Sequence, residues 1–579
     1  MPVEELKAKL TEHLKKIYGE ARAPELTERV LRLASSHCAQ TQHCGSQHHG
    51  PGSWDETDSI LITYGNSVIF PGMEPLASLK VFLDRHLQGV FSLLHILPFY
   101  PYSSDEGFAV TDFRSVNPDL GDWDDIEKLS ENFDLMFDVV LNHISREHLW
   151  FVQFVNRVEP GNSYVIKVDP KANLSMVVRP RSSPLLSRVR RPHDIQYVWA
   201  TFSNDQIDLN YANPDLLLEI IELLLFYVRR GAKAFRMDAV AFLWKEIGTS
   251  CIHLPQTHEV IKLIRTLMEH VEPELLLLTE TNVPHAENIS YFGQGDEAHM
   301  VYQFVLPPLL LFAIHTESTQ YLTAWARHLE QEVLPKDCTY LNFTASHDGV
   351  GLRPLEGIVP DVELDRLLTD MRERGAFVSM RATSDGLDRP YELNISYFDA
   401  FRTPGDEVDP WHLPRFLLSQ ILPLSMRGIP AVYINAITAT PNDLLGVERT
   451  SITRNINRRK WDGAELERLI ESPMTECGQV FPEYVRLLNV RKGIKAFHPD
   501  APQRILEVSE GLFALERISL DGKQRIIALY NFTSDLRSID LSEISGPERN
   551  FIDLLHPEPP DVQEGALQMR PFQAIWLLA

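Results

Sequence analysis

Residues 213–238 read NPDLLLEIIELLLFYVRRGAKAFRMD, and this stretch decides the fold. Asn213 suits a helix N-cap, Pro214 suits the first turn, and Gly231 can close the helix. Between them Leu216 to Val228 is apolar with helical periodicity. A short strand, Ala234 to Met237, follows at once. The alternation repeats on both sides. Strand-like runs occur at Ser59–Tyr64, Gly89–Leu97, Leu135–Leu141, Lys233–Met237, Leu275–Thr279, Met300–Phe304, Tyr340–Phe343 and Ala431–Ile434, with helical patterns between most of them. Eight alternations predict an α/β chain folded as a (β/α)8 TIM barrel, with a doubly wound sheet as the alternative.

Working outward, the barrel is expected in three parts, residues 54–143, 208–349 and 411–497. Residues 144–207, rich in Arg and Pro, and residues 350–410 are too long for simple crossovers and read as insertions after strands 3 and 7. Residues 498–579 read as a small antiparallel β-domain, with strands at Ile505–Val508, Leu512–Ile518, Arg525–Tyr530, Ile539–Leu541 and from Pro571 on. Residues 1–53 form an N-terminal extension. Leu6, Leu10, Leu14 and Ile17 mark a helical pattern through about residue 35, and a polar connector follows.

The 579 residues are 44% hydrophobic and 23% charged, which supports a large core and excludes disorder as the main state. Lys+Arg of 55 against Asp+Glu of 80 gives −25, which argues against nucleic acid and anionic membranes as partners. No apolar run reaches the ~18 residues of a membrane span. Five Cys are too few and too scattered for a disulfide framework, and no secretory signal is visible at Met1, so a cytoplasmic location is expected. Cys38, His43, Cys44, His48 and His49 match no common zinc spacing, and no metal is expected there.

In a barrel, the residues just past the strand C-termini form the active face. Strand 3 ends at Asn142 and His143, strand 4 at Arg236 and Asp238, strand 5 at Glu280 and Asn282, and strand 7 at His347 and Asp348. A lone Asp there is usually a cap or a loop residue. Three carboxylates at three such positions, with an Arg and two His, suit retaining glycosyl transfer. Arg236, two residues before Asp238 on one strand face, can keep a nucleophile ionised. Glu280 follows an apolar run and suits a proton-holding general acid. Asp348 can steady positive charge developing on the ring.

These residues resemble the four short sequence regions of the α-amylase superfamily, glycoside hydrolase family 13: DVVLNH from Asp138, FRMD from Phe235, TET from Thr279, and His347-Asp348. The resemblance runs from about Trp54 to the C-terminus. It implies that Asp238 is the nucleophile, Glu280 the acid/base and Asp348 the transition-state stabiliser. Arg236, His143, His347 and Phe242 would contact the glucosyl ring. Further stretches are similar to the sucrose phosphorylase branch: HILPF from His95, DEGF from Asp105 to Phe108, GTSC from Gly248, LPPLL from Leu306 and INR ending at Arg458. In that branch Asp105 and Arg458 would grip the far hydroxyls of glucose, with Phe108 beside them.

The same resemblance implies a phosphate site at Arg181, in RPR from Arg179, with Tyr391, in PYELN from Pro390, as its partner. Asn282 stands where sucrose phosphorylases usually carry His, and the loop with Asp388, Arg389, Pro390 and Glu392 also departs from fructose-specific members. The pattern is closer to members that exchange phosphate with glycerate on 2-O-α-glucosylglycerate. Arg381 and Arg389 are the nearest candidates for a cation facing the glycerate carboxylate. Asn142 resembles an amylase calcium ligand, but the branch is not calcium-dependent. The expectation is therefore no cofactor and no metal, inorganic phosphate as co-substrate, a small sugar substrate, and a monomer or homodimer. Sucrose phosphorylase, glucosylglycerol phosphorylase, a retaining glucosidase and a non-catalytic carbohydrate-binding barrel remain the alternatives.

Overall fold

A computed structural model describes residues 2–40, 54–382, 388–405, 408–545 and 551–579. The expected helix runs from Pro214 to Arg229. The Asn213 side chain accepts the Asp215 N–H at 3.0 Å, and Gly231 takes φ 92° just past the end. The strand Ala232–Asp238 follows, with every residue from Ala234 on buried.

It is the fourth strand of a closed barrel. In chain order the eight strands are Ile60–Thr63, Leu93–Ile96, Asp134–Val140, Ala232–Asp238, Leu276–Thr279, Met300–Tyr302, Thr339–Asn342 and Ile429–Tyr433. All neighbours pair in parallel. The barrel closes where Ile60 of the first strand pairs with both Leu93 and Ala431. Each of the eight strand-like runs in the sequence contributes one barrel strand. They are legible because each is a short apolar run bounded by a helical pattern.

The first insertion leaves the barrel at His143–Ser145, which pairs antiparallel with Gln206–Asp208 where the chain returns. This ladder pins His143 at the rim. Between lie two short helices and a hairpin, Leu186–Arg190 with Ile195–Trp199. The second insertion holds the helix Asp361–Glu373 and a three-stranded sheet of Val350–Gly351, Asp388–Asn394 and Phe377–Ala382. Its central strand carries Tyr391 and Glu392, and Gly351 pairs with Glu392 next to the barrel mouth. The C-terminal segment forms a five-stranded and a three-stranded sheet.

Two boundaries differ from expectation. The N-terminal pattern is two helices, Val3–Tyr18 and Ala23–Gln40, broken at Gly19, whose φ of 86° favours glycine. In the β-domain the strand Ala566–Met569 is added. Its Ala, Leu, Gln and Met residues carry no β-branched signal, and its alternation of half-buried and buried residues appears only in the fold. The connector residues His43, Cys44, His48 and His49 lie outside the described residues. No described helix is long and apolar enough to cross a membrane.

Candidate active site

The strands deliver their polar ends to one mouth, where a cavity of about 760 Å³ opens. Asp105, Phe108, His143, Arg181, Asp238, Glu280, Asn282, His347, Asp348 and Tyr391 line it, so these sequence-predicted residues are brought together.

Its floor is a buried relay across three neighbouring strands. His95 Nε2 lies 2.8 Å from Asp138 Oδ2. Arg236 Nη1 donates to Asp138 Oδ1, and also to Asp238 Oδ1 at 2.9 Å. Asp138 and Arg236 are register partners on adjacent strands, which is why the two side chains meet. Burial opposes the Arg236 charge, but Asp138 and its neighbours outweigh that and hold it protonated. Burial pushes Asp238 and Glu280 above the ordinary carboxylate range, and mutual repulsion adds to the rise at Asp238. The pair therefore holds its last proton above the ordinary carboxylate range. Asp238 is hydrogen-bonded to Arg236, so it is the member that ionises and leaves the proton on Glu280. Asp348 behaves oppositely. Burial would raise it, but Arg454 Nη1 at 2.5 Å holds it below the ordinary range, with Arg236 and Arg458 assisting.

The sugar side is built from the segments that follow the second, third, seventh and eighth barrel strands. Arg458 Nε donates to the His347 carbonyl at 2.8 Å, and its Nη1 lies 3.5 Å from Asp105 Oδ1. Its Nη2 is buried without a partner. Gln206 Nε2 reaches Asp105 Oδ2 at 3.3 Å. Phe108 stacks on His347, centroids 4.8 Å apart, and its carbonyl accepts His143 Nε2 at 3.0 Å. Burial lowers both His143 and His347, so both rings are neutral at pH 7. Asp105 and Glu106 take positive φ, 55° and 48°, ahead of Gly107 at 113°, and this tight turn faces Asp105 to the cavity.

The acceptor side comes from the two insertions. The Arg181 guanidinium sits 4.9 Å above the Tyr391 ring, and its Nη1 is 3.7 Å from Glu392 Oε2. Burial raises the Tyr391 phenol, which stays protonated and can donate. Asn282 packs so closely on Gly351 that a Cβ there would lie 2.6 Å from its amide, and its Oδ1 has no partner.

Four predicted residues are placed elsewhere. Phe242 lies edge-on to Phe202, centroids 5.5 Å apart, in a smaller neighbouring cavity. Glu392 is buried behind the wall. Arg381 does not line the main cavity but pairs with Glu356 at 2.5 Å, and the exposed Arg389 sits 3.8 Å from Asp361. A β-strand explains this, because Arg381 and Arg389 are register partners at the far end of the sheet whose near end holds Tyr391 and Glu392.

Sequence reasoning missed Arg454 and Lys245. Arg454 binds Glu392 bidentately at 2.8 and 2.6 Å as well as Asp348. Its only sequence signal is its position four residues before Arg458, in an acidic chain. Lys245 Nζ lies 2.6 Å from both Asn142 Oδ1 and Asp208 Oδ2, and its ammonium ties the strand-3 end to the insertion's return. Among the described residues no group of three or more His, Cys, Asp or Glu side chains is placed to hold a metal.

Comparison with known proteins places this geometry. The catalytic-domain model of alpha-amylase matches residues 89–351. A glucosylglycerate phosphorylase of Escherichia coli K12 is 40% identical over 99% of this chain and 100% of its own length. Another, from Allomeiothermus silvanus, is 44% identical over 91% of this chain and 93% of its own. The crystal structure of a sucrose 6F-phosphate phosphorylase from Thermoanaerobacter thermosaccharolyticum superposes with a TM-score of 0.71 at 25% identity, covering 84% of this chain and 96% of that one. Near-full-length identity of this order, on an amylase barrel with its carboxylates at the strand ends, fixes the lineage: the chain is a glycoside phosphorylase of the α-amylase superfamily, glycoside hydrolase family 13.

Proposed function

We propose that the chain catalyses reversible phosphorolysis of 2-O-α-D-glucosylglycerate to α-D-glucose 1-phosphate and D-glycerate by double displacement. Asp238 attacks the anomeric carbon while Glu280 protonates the departing glycerate oxygen. The β-glucosyl-enzyme is then cleaved by a phosphate oxygen, whose proton returns to Glu280. Asp348 steadies the oxocarbenium-like transition state, and Asp105, Phe108, His143, His347 and Arg458 seat the glucosyl ring. No resident metal or cofactor is assigned a role; inorganic phosphate is the co-substrate.

The observation that supports phosphorolysis over hydrolysis is Arg181 above Tyr391, a cation and a phenol donor beside Glu280. This pair suits a phosphate dianion. The support for glycerate is the likeness to glucosylglycerate phosphorylases at 40% and 44% identity, against 25% for the sucrose 6F-phosphate enzyme. The test supplies glucose 1-phosphate with D-glycerate, L-glycerate, glycerol, fructose and fructose 6-phosphate separately and measures phosphate release. D-glycerate is expected to be the best acceptor. Preference for fructose or glycerol would transfer the substrate assignment to the sucrose or glucosylglycerol enzymes.

A further inference from the structure

Among the described residues, the cavity is lined by two arginines, Arg181 and Arg454, and by no lysine. Arg454 is fully committed. Its Nε and Nη2 hold the Glu392 carboxylate at 2.8 and 2.6 Å, and its Nη1 holds Asp348 at 2.5 Å. Glu392 also accepts the Gly349 N–H at 3.0 Å, so the clamp fixes the backbone beside Asp348. Arg181 is placed differently. Its nearest carboxylate oxygen, on Glu392, is 3.7 Å away, beyond hydrogen-bond length, and its side chain is 25% exposed.

In a double displacement the two acceptors are never bound together, because one leaves before the other enters. We propose that Arg181 is a single anion receptor used in turn, for phosphate in one half-reaction and for the glycerate carboxylate in the other. The acceptors it admits are then small 2-hydroxycarboxylates as a class. The proposal rests on the phosphorylase reading above.

The chemistry of the two acceptors supports the sharing. Phosphate attacks through one oxygen and carries its charge on oxygens of the same phosphorus. A 2-hydroxycarboxylate attacks through its hydroxyl oxygen and carries its charge on the two oxygens of the carboxylate attached to the carbinol carbon. Both present a charge beside the attacking oxygen, so one cation fixed next to the anomeric carbon neutralises either. Without it a carboxylate would meet Glu280, which has given up its proton in the glucosyl-enzyme. In either direction the first half-reaction forms the bond from Asp238 to the anomeric carbon as the bond to the departing oxygen breaks, and Glu280 gives that oxygen its proton; in the second the acceptor oxygen bonds the anomeric carbon as the bond to Asp238 breaks. The electron pair returns to Asp238, and the proton of the attacking hydroxyl passes to Glu280. Arg454 contributes as a positioning residue, through Asp348 and Glu392.

The experiment compares the wild type with Arg181→Gln, Arg181→Lys and Arg454→Gln in the full chain, with thermal unfolding as a folding control. Synthesis from glucose 1-phosphate is followed with D-glycerate, lactate, 3-hydroxypropionate and glycerol, and phosphorolysis with inorganic phosphate. The wild type should use lactate and glycerate well and 3-hydroxypropionate poorly. Arg181→Gln should raise the KM for phosphate and for glycerate by about 10-fold or more each, slow synthesis from glucose 1-phosphate with every acceptor, and remove most of the preference for glycerate over glycerol, and Arg181→Lys should restore part of each. Arg454→Gln should lower kcat with glycerate and glycerol alike and keep the preference between them. If Arg181→Gln weakens phosphate but keeps the glycerate preference, the shared receptor is wrong while phosphorolysis stands. If Arg454→Gln erases the preference, the receptor is Arg454. If the wild type releases no phosphate with glycerate, the substrate reading falls and this proposal with it.

Discussion

Asp238 and Glu280 share one buried setting, and the pH at which the enzyme works follows from it. Activity needs Asp238 ionised and Glu280 protonated. Burial raises both, so the two protons leave the pair above the ordinary carboxylate values. The kcat/KM of an aryl α-glucoside, which does not titrate, should follow a bell. It falls as pH drops through the pair's lower value, where Asp238 takes a proton, and falls again as pH rises through the upper one, where Glu280 loses its own. Glu280→Gln should remove the alkaline limb; its survival there would mean that another group supplies the acid. Asp238 and Glu280 were legible because each closes an apolar strand, where the barrel geometry fixes its direction, whereas Asp348 lies six residues past the strand end at Asn342 and was legible through the His347-Asp348 pair. Arg454 was not, because it sits in a short 3-10 segment, Thr453–Asn457, that carries no periodic signal. Arg381 and Arg389 misled because nearness in sequence to Tyr391 is not nearness in space along an extended strand.

At the scale of elements, the N-terminal helical pair is docked rather than appended. Leu6, Leu10, Leu14 and Ile17 are buried, and the first helix packs on the barrel helix Pro255–Val271. His13 lies 2.8 Å and Lys16 3.2 Å from Glu259, Arg29 pairs with Asp215 at 2.6 Å, and the Tyr18 hydroxyl donates to the Tyr211 carbonyl at 2.8 Å. Leu10→Ala should cost about 2–5 kcal/mol by the cavity it leaves. A fall in the unfolding temperature, with kcat/KM unchanged at 25 °C, is the expected result. A fall in kcat/KM instead would connect the pair to the site. The heptad-like leucines made the helices legible. Their docking was not, because the partner surface lies over 200 residues along the chain and no local pattern encodes it.

For the whole molecule, one site must serve two anionic acceptors on a chain of net charge −25. Because phosphate and acceptor react with the same glucosyl-enzyme, initial rates at several fixed phosphate concentrations should give parallel double-reciprocal lines, and the product should be α-glucose 1-phosphate. Intersecting lines or the β-anomer would overturn double displacement. The barrel and its two insertions were legible from alternation and gap length. How the insertions converge was not, since their meeting of Arg181 on Tyr391 depends on the sheet register of one and the rim ladder of the other.

The Arg454 clamp has a temporal side. Asp348 and Glu392 leave the ribosome long before the arginine that neutralises them, and Arg458 follows later still. A chain that ends short of residue 454 carries both carboxylates without the guanidinium that bridges them, beside a barrel that still lacks the loop after its last strand. The charges of the catalytic mouth are therefore balanced only when the loop after the last barrel strand is in place.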